Sequence, residues 1–102
     1  MSKRTRDYET DLIENLKDSE FAMEYLNSSL EDSDSGSDER FLIALGQVAK
    51  AHGMTLLAEK SGFARQAIYR SLSKNGNPQL STLKAILASL GFKISIEKKK
   101  AS

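Results

Sequence analysis

The stretch EKSGFARQAIYRSLSKNGNP, residues 59–78, constrains the fold of this chain more than any other segment. A helical pattern stops at Gly62, resumes with Ile68 and Leu72 one turn apart, and stops again at Asn75-Gly76-Asn77-Pro78. Glycine supplies the positive φ of a tight turn, and a Gly-Asn-Pro run does not continue a helix. Two short helices must therefore meet at Gly62. The second carries Arg65, Gln66, Tyr69 and Arg70 on its polar side. Such a hairpin either serves folding alone or presents a helix to a groove of DNA.

The flanking sequence extends the helical reading. Leu12, Ile13 and Leu16 give a short helical face in 9–17, a segment that is either helical or irregular. Phe21, Ala22, Tyr25, Leu26 and Leu30 repeat the spacing over 19–31. Asp18 or Ser19 is placed to cap that helix, and Glu20 lies in its first turn, where the dipole favours an anion. Phe41, Leu42, Leu45, Val48 and Ala49 share one face of a helix over 39–52 that Gly53 ends. Thr55 is expected to cap a helix over 56–61, with Leu57 and Ala58 inward, and the helix after Gly62 covers 64–73. Ser81 is expected to cap a helix in which Leu83, Ile86, Leu87 and Leu90 recur, ended by Gly91.

Beyond Gly91 the period changes. Phe92, Ile94 and Ile96 alternate with Lys93, Ser95 and Glu97, the pattern of a short β-strand. One strand is not stable alone, so its partner is either an extended segment near the N-terminus or the same strand of a second subunit. The expected fold is all-α, with five helices, an N-terminal helical extension and a short C-terminal β-strand. At 102 residues the chain is read as one modest core. Its parts are an acidic extension and linker, 1–38, a helical domain with its strand, 39–97, and a disordered tail, 98–102.

Charge divides along the same line. Residues 1–40 carry 5 Lys/Arg and 12 Asp/Glu, whereas residues 41–102 carry 10 Lys/Arg and 2 Asp/Glu. Between Asp7 and Glu39 the only cation is Lys17. A basic half suits a polyanion and an acidic half suits a basic partner, unless the halves neutralise each other within the fold.

Several functions are set aside on composition. There is no cysteine and one histidine, His52, so neither a cysteine–histidine metal cluster nor a nucleophile–base pair can be assembled. His52 is placed in the last turn of a helix, where it can meet free carbonyls. A calcium loop starting at Asp32 fails, because Ser37 and Ile43 stand where glycine and a bidentate glutamate are required. No enzyme, metal or cofactor is expected. No run of about 18 apolar residues occurs and no secretory signal is evident, so a cytoplasmic location and no membrane partner are expected.

Ala58, four residues before Gly62, and Ile68, six after it, have the intervals of a helix-turn-helix, with Leu57 and Leu72 completing the packing surface. This arrangement resembles the Cro-like, or lambda-repressor, family. The segments DLIENLKDSEFAMEYLNSSLED, VAKAHGM and LAEKSGFARQAIYRSLSKNGNPQLSTLKAILASLGFKISIE narrow the likeness to the HigA-like addiction-module antidote proteins, or antitoxins. It covers about Asp11 to Glu97, and IYRSLSKNGNPQLSTLKAILASLG is its most specific part. Ser19 stands where a proline is common, and Arg65-Gln66-Ala67 is this chain's own combination at the variable reading positions.

The resemblance implies an antitoxin that binds a small RelE/ParE-like toxin and represses its own operon as a homodimer on double-stranded operator DNA. Arg65 and Gln66 open the reading helix, where arginine can pair with guanine and glutamine with adenine. Tyr69 and Arg70 reach bases or backbone, and Thr55, Lys74 and Asn75 are candidate phosphate contacts, with Lys84 a further one. Leu12, Ile13, Leu16, Phe21, Tyr25, Leu26 and Leu30 are candidate anchors for the basic toxin, or else they pack on the helical core. In the first case a chain beginning at Ser37 keeps its helices and its DNA affinity. The alternative function is a Cro-like repressor without a toxin partner.

Overall fold

The computed structural model describes the backbone of residues 2–31 and 36–100, with side chains from Tyr8 onward. Six helices follow in order among them: α1 Ser2–Asn15, α2 Ser19–Glu31, α3 Ser37–His52, α4 Met54–Ser61, α5 Arg65–Ser71 and α6 Leu80–Ser89. The all-α class is observed, with six helices rather than five. The uncertain segment at 9–17 is the last part of α1 and the turn after it. Asp32 and Asp34, weighed for calcium, lie outside the described residues.

α3 is the element around which the others assemble. Its apolar positions recur at helical spacing, with Asp38 and Glu39 in the first turn and Lys50 and His52 in the last, both favourable to the helix dipole. α2 packs on it most extensively, and α1 and α4 also lie against it. The largest fully buried side chains are Leu45, Leu57, Ile68 and Ile86, one each from α3, α4, α5 and α6. Leu16, Ala22 and Leu26 from the acidic part join the same core. α1, α2 and the turn between them thus cover the core that α3 to α6 build.

The turns show how the sequence directs this path. Asp18 caps α2, its Oδ1 accepting the Glu20 N–H at 3.0 Å. At Gly53 the chain bends by 101° from α3 into α4. The Gly53 N–H bonds to the Ala49 carbonyl at 2.9 Å, and its own carbonyl accepts from the Leu57 N–H at 3.0 Å. Because Gly53 already supplies the carbonyl that starts α4, Thr55 falls inside the first turn and caps nothing, contrary to expectation. Gln79 pre-empts Ser81 at α6 in the same way.

Gly62 adopts the left-handed conformation, φ 80°, and its N–H bonds to the Ala58 carbonyl at 3.0 Å. A side chain there would meet its own backbone in the left-handed region. The Phe63 N–H donates to Ser61 Oγ at 3.2 Å, and Ala64 is extended before α5 begins. Gly76 has a different reason to be small. A Cβ there would lie 2.9 Å from the Arg70 carbonyl oxygen and closer still to the Ser71 carbonyl. The chain after α5 therefore folds back directly over that helix's last turn.

The C-terminal strand is absent: residues 92–100 form neither helix nor strand. α6 ends in a Schellman motif, with the Phe92 N–H on the Leu87 carbonyl at 2.8 Å and the Gly91 N–H on that of Ala88 at 3.0 Å. Phe92 packs against the core. One possible partner, the N-terminal segment, is helix α1, and no strand is present among the described residues to pair with 92–97. A strand exists only as part of a ladder.

Candidate functional site

α5 is short, and its two faces are sharply different. Ile68 and Leu72 are buried, whereas Arg65, Gln66, Tyr69 and Arg70 are exposed. Positions 65, 66, 69 and 70 share one side of a helix, so the four side chains form a single outward surface. Lys74 and Asn75 follow in the turn beyond it, both exposed. Thr55 is exposed on α4 and Lys84 on α6. The two short helices meet at Gly62 with Leu57 and Ile68 fully buried, as their spacing requires.

A shallow groove of about 340 Å³ runs between α3 and α5, bordered by Ile43, Gln47, Lys50, Tyr69 and Ser73. Tyr69 is 46% exposed and also borders this groove. Lys50, exposed on the same border, adds a cation that sequence spacing missed. It belongs to α3, and nothing in a linear pattern tells which side of that helix α5 will dock on.

The acidic part presents a second surface. Of the seven apolar residues considered there, Leu16 is 3% and Leu26 6% exposed. Both are core residues, in line with the alternative in which they pack on the helical core. Leu12 and Tyr25 are partly buried against that core, and Ile13 is half-buried. The Tyr25 hydroxyl donates to Gln47 Oε1 on α3, fastening α2 to the core. Burial, and secondarily the neighbouring Tyr8, hold the Tyr25 phenol above its ordinary range.

Phe21 and Leu30 remain exposed, and Met23 is exposed with them. Met23 and Leu30 are seven residues apart, two turns along one side of α2, a spacing visible in the sequence but passed over. Glu20, Glu24 and Glu31 also project to solvent from this helix. Among the described residues these three have no ion-pair partner, and no ion pair joins α1 or α2 to the basic half. Lys17 pairs instead with Glu14, at 3.2 Å within the acidic part.

His52 ends α3 beside a shallow cleft shared with Lys60, Ser89 and Gly91. Its Nε2 is buried and has no hydrogen-bond partner among the described residues. Burial, and then the Lys60 ammonium, lower its pKa below the usual 6.5. As pH falls through 6.5 the unfolded chain takes up the proton first, so stability declines until the folded-state pKa is passed and is level below it. Denaturant unfolding at about pH 7.5 and about pH 5.5 should show this loss, and His52→Gln should remove its histidine-dependent part. An unchanged pH dependence in that variant would refute the assignment.

Among the described residues, no group of three or more His, Cys, Asp or Glu could hold a metal ion. No single helix among them is long and apolar enough to cross a membrane. Comparison with known proteins identifies the lineage. A family model described as "Probable addiction module antidote protein" matches residues 7–98. A Haemophilus influenzae protein, described as an uncharacterized protein, is 30% identical over 97 residues, 95% of each chain. No solved structure matches. The match takes in the acidic helices, the Gly62 turn and the basic helices together, and the chain belongs to the family of probable addiction module antidote proteins.

Proposed function

We propose that this chain is an antitoxin with two working faces. One, the outer side of α2 with the adjoining part of α1, binds and neutralises a small basic toxin of RelE/ParE-like fold. The other, the outward side of α5, reads operator DNA and represses the chain's own operon as a dimer. The observation that supports this reading is that, among the described residues, Glu20, Glu24 and Glu31 are exposed on α2 and Arg65 and Arg70 on α5, with no ion pair joining them. Residues that merely solubilised the fold would tend to pair across it.

A toxin that grips RNA must be basic where it meets phosphate, so the carboxylates of Glu20, Glu24 and Glu31 are complementary to it. Exposed ion pairs contribute only about 0–1 kcal/mol each, so apolar anchors must hold the complex. Phe21, Met23 and Leu30 are exposed on α2, and the partly buried Leu12, Ile13 and Tyr25 are further candidates. On the other face, Arg65 and Gln66 are set to meet base edges, with Tyr69 and Arg70 one turn on. Lys74, Asn75, Thr55 and Lys50 are suited to phosphate. One reading helix covers only a few base pairs, so a two-fold pair of chains gives useful specificity.

Two variants separate the faces. Met23→Ala with Leu30→Ala is expected to leave operator affinity intact and to abolish rescue of growth when the toxin of the neighbouring gene is expressed. Arg65→Ala is expected to keep rescue, to weaken operator binding by about 1–3 kcal/mol and to relax one base position; Lys74→Ala should weaken binding uniformly and lower the salt slope. Full rescue and toxin capture by the α2 double variant would remove the toxin face from α2. Unchanged affinity and footprint for Arg65→Ala would remove the reading role from α5.

A further inference from the structure

The segment after α6 carries an apolar alternation that the described fold leaves without a partner. Phe92 fixes its start, through the backbone bond to Leu87 and its packing on the core. Beyond that point Ile94 is 47% and Ile96 95% exposed, and Ile96 is the most exposed large apolar side chain described. The pattern Phe-Lys-Ile-Ser-Ile-Glu nevertheless has the strict alternation of a half-buried strand. A strand sequence held at one end and lacking a partner among the described residues calls for a partner from outside the chain.

We propose that residues 93–97 pair with the same residues of a second copy of this chain, as a two-stranded antiparallel ribbon centred on Ser95. The proposal supplies the contact for the dimer assumed in the operator reading, but it stands on the C-terminal sequence and its exposure, not on DNA binding. The residues themselves select the register. With Ser95 opposite Ser95 of the second copy, each Lys93 lies opposite a Glu97 and each Ile94 opposite an Ile96. Both charge pairs are then attractive, and four isoleucines share one face.

Other alignments lose this match. A slip of one residue puts Ile94 opposite Glu97 and mixes the two faces. Centring on Ile96 sets Lys93 against Lys99, and a parallel pairing brings each lysine beside its own copy; both place like charges together. Lys98, Lys99 and Lys100 then flank the ribbon, and lysines on exposed edges discourage the addition of a third strand. A bare two-stranded ribbon is marginal in water. The isoleucine face must therefore rest on the helical bodies, which Phe92 anchors at each end.

The test is sedimentation of the full-length protein without DNA, so that its outcome is independent of operator reading. Wild-type protein is expected to form a concentration-dependent dimer, and Ile96→Asp to be monomeric with unchanged helical circular dichroism. Lys93→Glu and Glu97→Lys alone each place two like-charged pairs in the ribbon and should weaken self-association by roughly tenfold. Mixed together, the two variants regain both attractive pairs and should form a heterodimer of wild-type strength. A monomeric wild type, an Ile96→Asp variant that still dimerises, or single-charge variants whose mixture gains nothing would each overturn the proposal. Loss of operator binding with the dimer intact would instead count against the reading role of α5.

Discussion

A chain that begins at Ser37 is expected to lose its cooperative fold, although its sequence retains the whole Gly62 turn and every basic residue of α5. Deletion removes Leu16 and Leu26, which are core residues, together with Ala22 and the partly buried Leu12 and Tyr25. Full burial of a leucine side chain stabilises by about 1.5–3 kcal/mol. Two of them therefore account for about 3–6 kcal/mol, against a total stability on the order of 5–15 kcal/mol for a small domain. The deletion also breaks the Tyr25–Gln47 hydrogen bond and strips both N-terminal helices from α3. The expected readings are reduced helical circular dichroism, a broad thermal transition and weakened operator binding. A truncated protein that melts cooperatively within about 10 °C of the full chain would contradict this, since that gap corresponds to only one or two kcal/mol.

The proposed toxin face is better probed by substitution than by truncation at Ser37, which would abolish neutralisation by unfolding the protein as well as by removing a surface. Substitutions at Met23 and Leu30 leave the core residues of α2 in place, so a loss of rescue in that variant reports on the surface.

Leu45→Ala is expected to be the most damaging single core substitution in α3. Leu45 is fully buried on the helix that α1, α2 and α4 pack against, so little can collapse into the space it leaves. Leucine-to-alanine changes at such sites cost about 2–5 kcal/mol, the larger values where the cavity persists. For a chain of this size that lowers the melting temperature by roughly 10–30 °C. Operator affinity measured well below the new melting point should change little, because none of the side chains proposed to meet DNA is altered. A melting temperature unchanged within a few degrees would show that Leu45 is not central to the core. Leu30→Ala, at an exposed position on α2, is the matching control and should leave the melting temperature nearly unchanged.

The helices were legible because each of their signals is local. Apolar spacing placed α2 through α6 to within a few residues, the glycines at 53, 62 and 91 ended helices where expected, and Asp18 capped α2. The inward role of Leu57, Ile68 and Leu72 followed from the same periodicity. Caps were less certain. A hydroxyl one or two residues into a helix resembles a cap until the carbonyl that starts the helix is known, as Thr55 and Ser81 illustrate.

Other features depended on which surfaces meet. Periodicity gave α2 an apolar side but could not say whether a partner or the core would occupy it. The fold takes Leu16 and Leu26 inward and leaves Phe21, Met23 and Leu30 at the surface. It also brings Lys50 beside Tyr69 from a separate helix. The alternation of 92–97 was equally clear in the sequence, yet no strand forms, because a strand's hydrogen bonds lie wholly outside itself. A helix closes its backbone bonds within its own residues, so the sequence alone determined the helices and their turns. Burial, shared surfaces and strand pairing join residues far apart in the chain, and only the tertiary structure decided them.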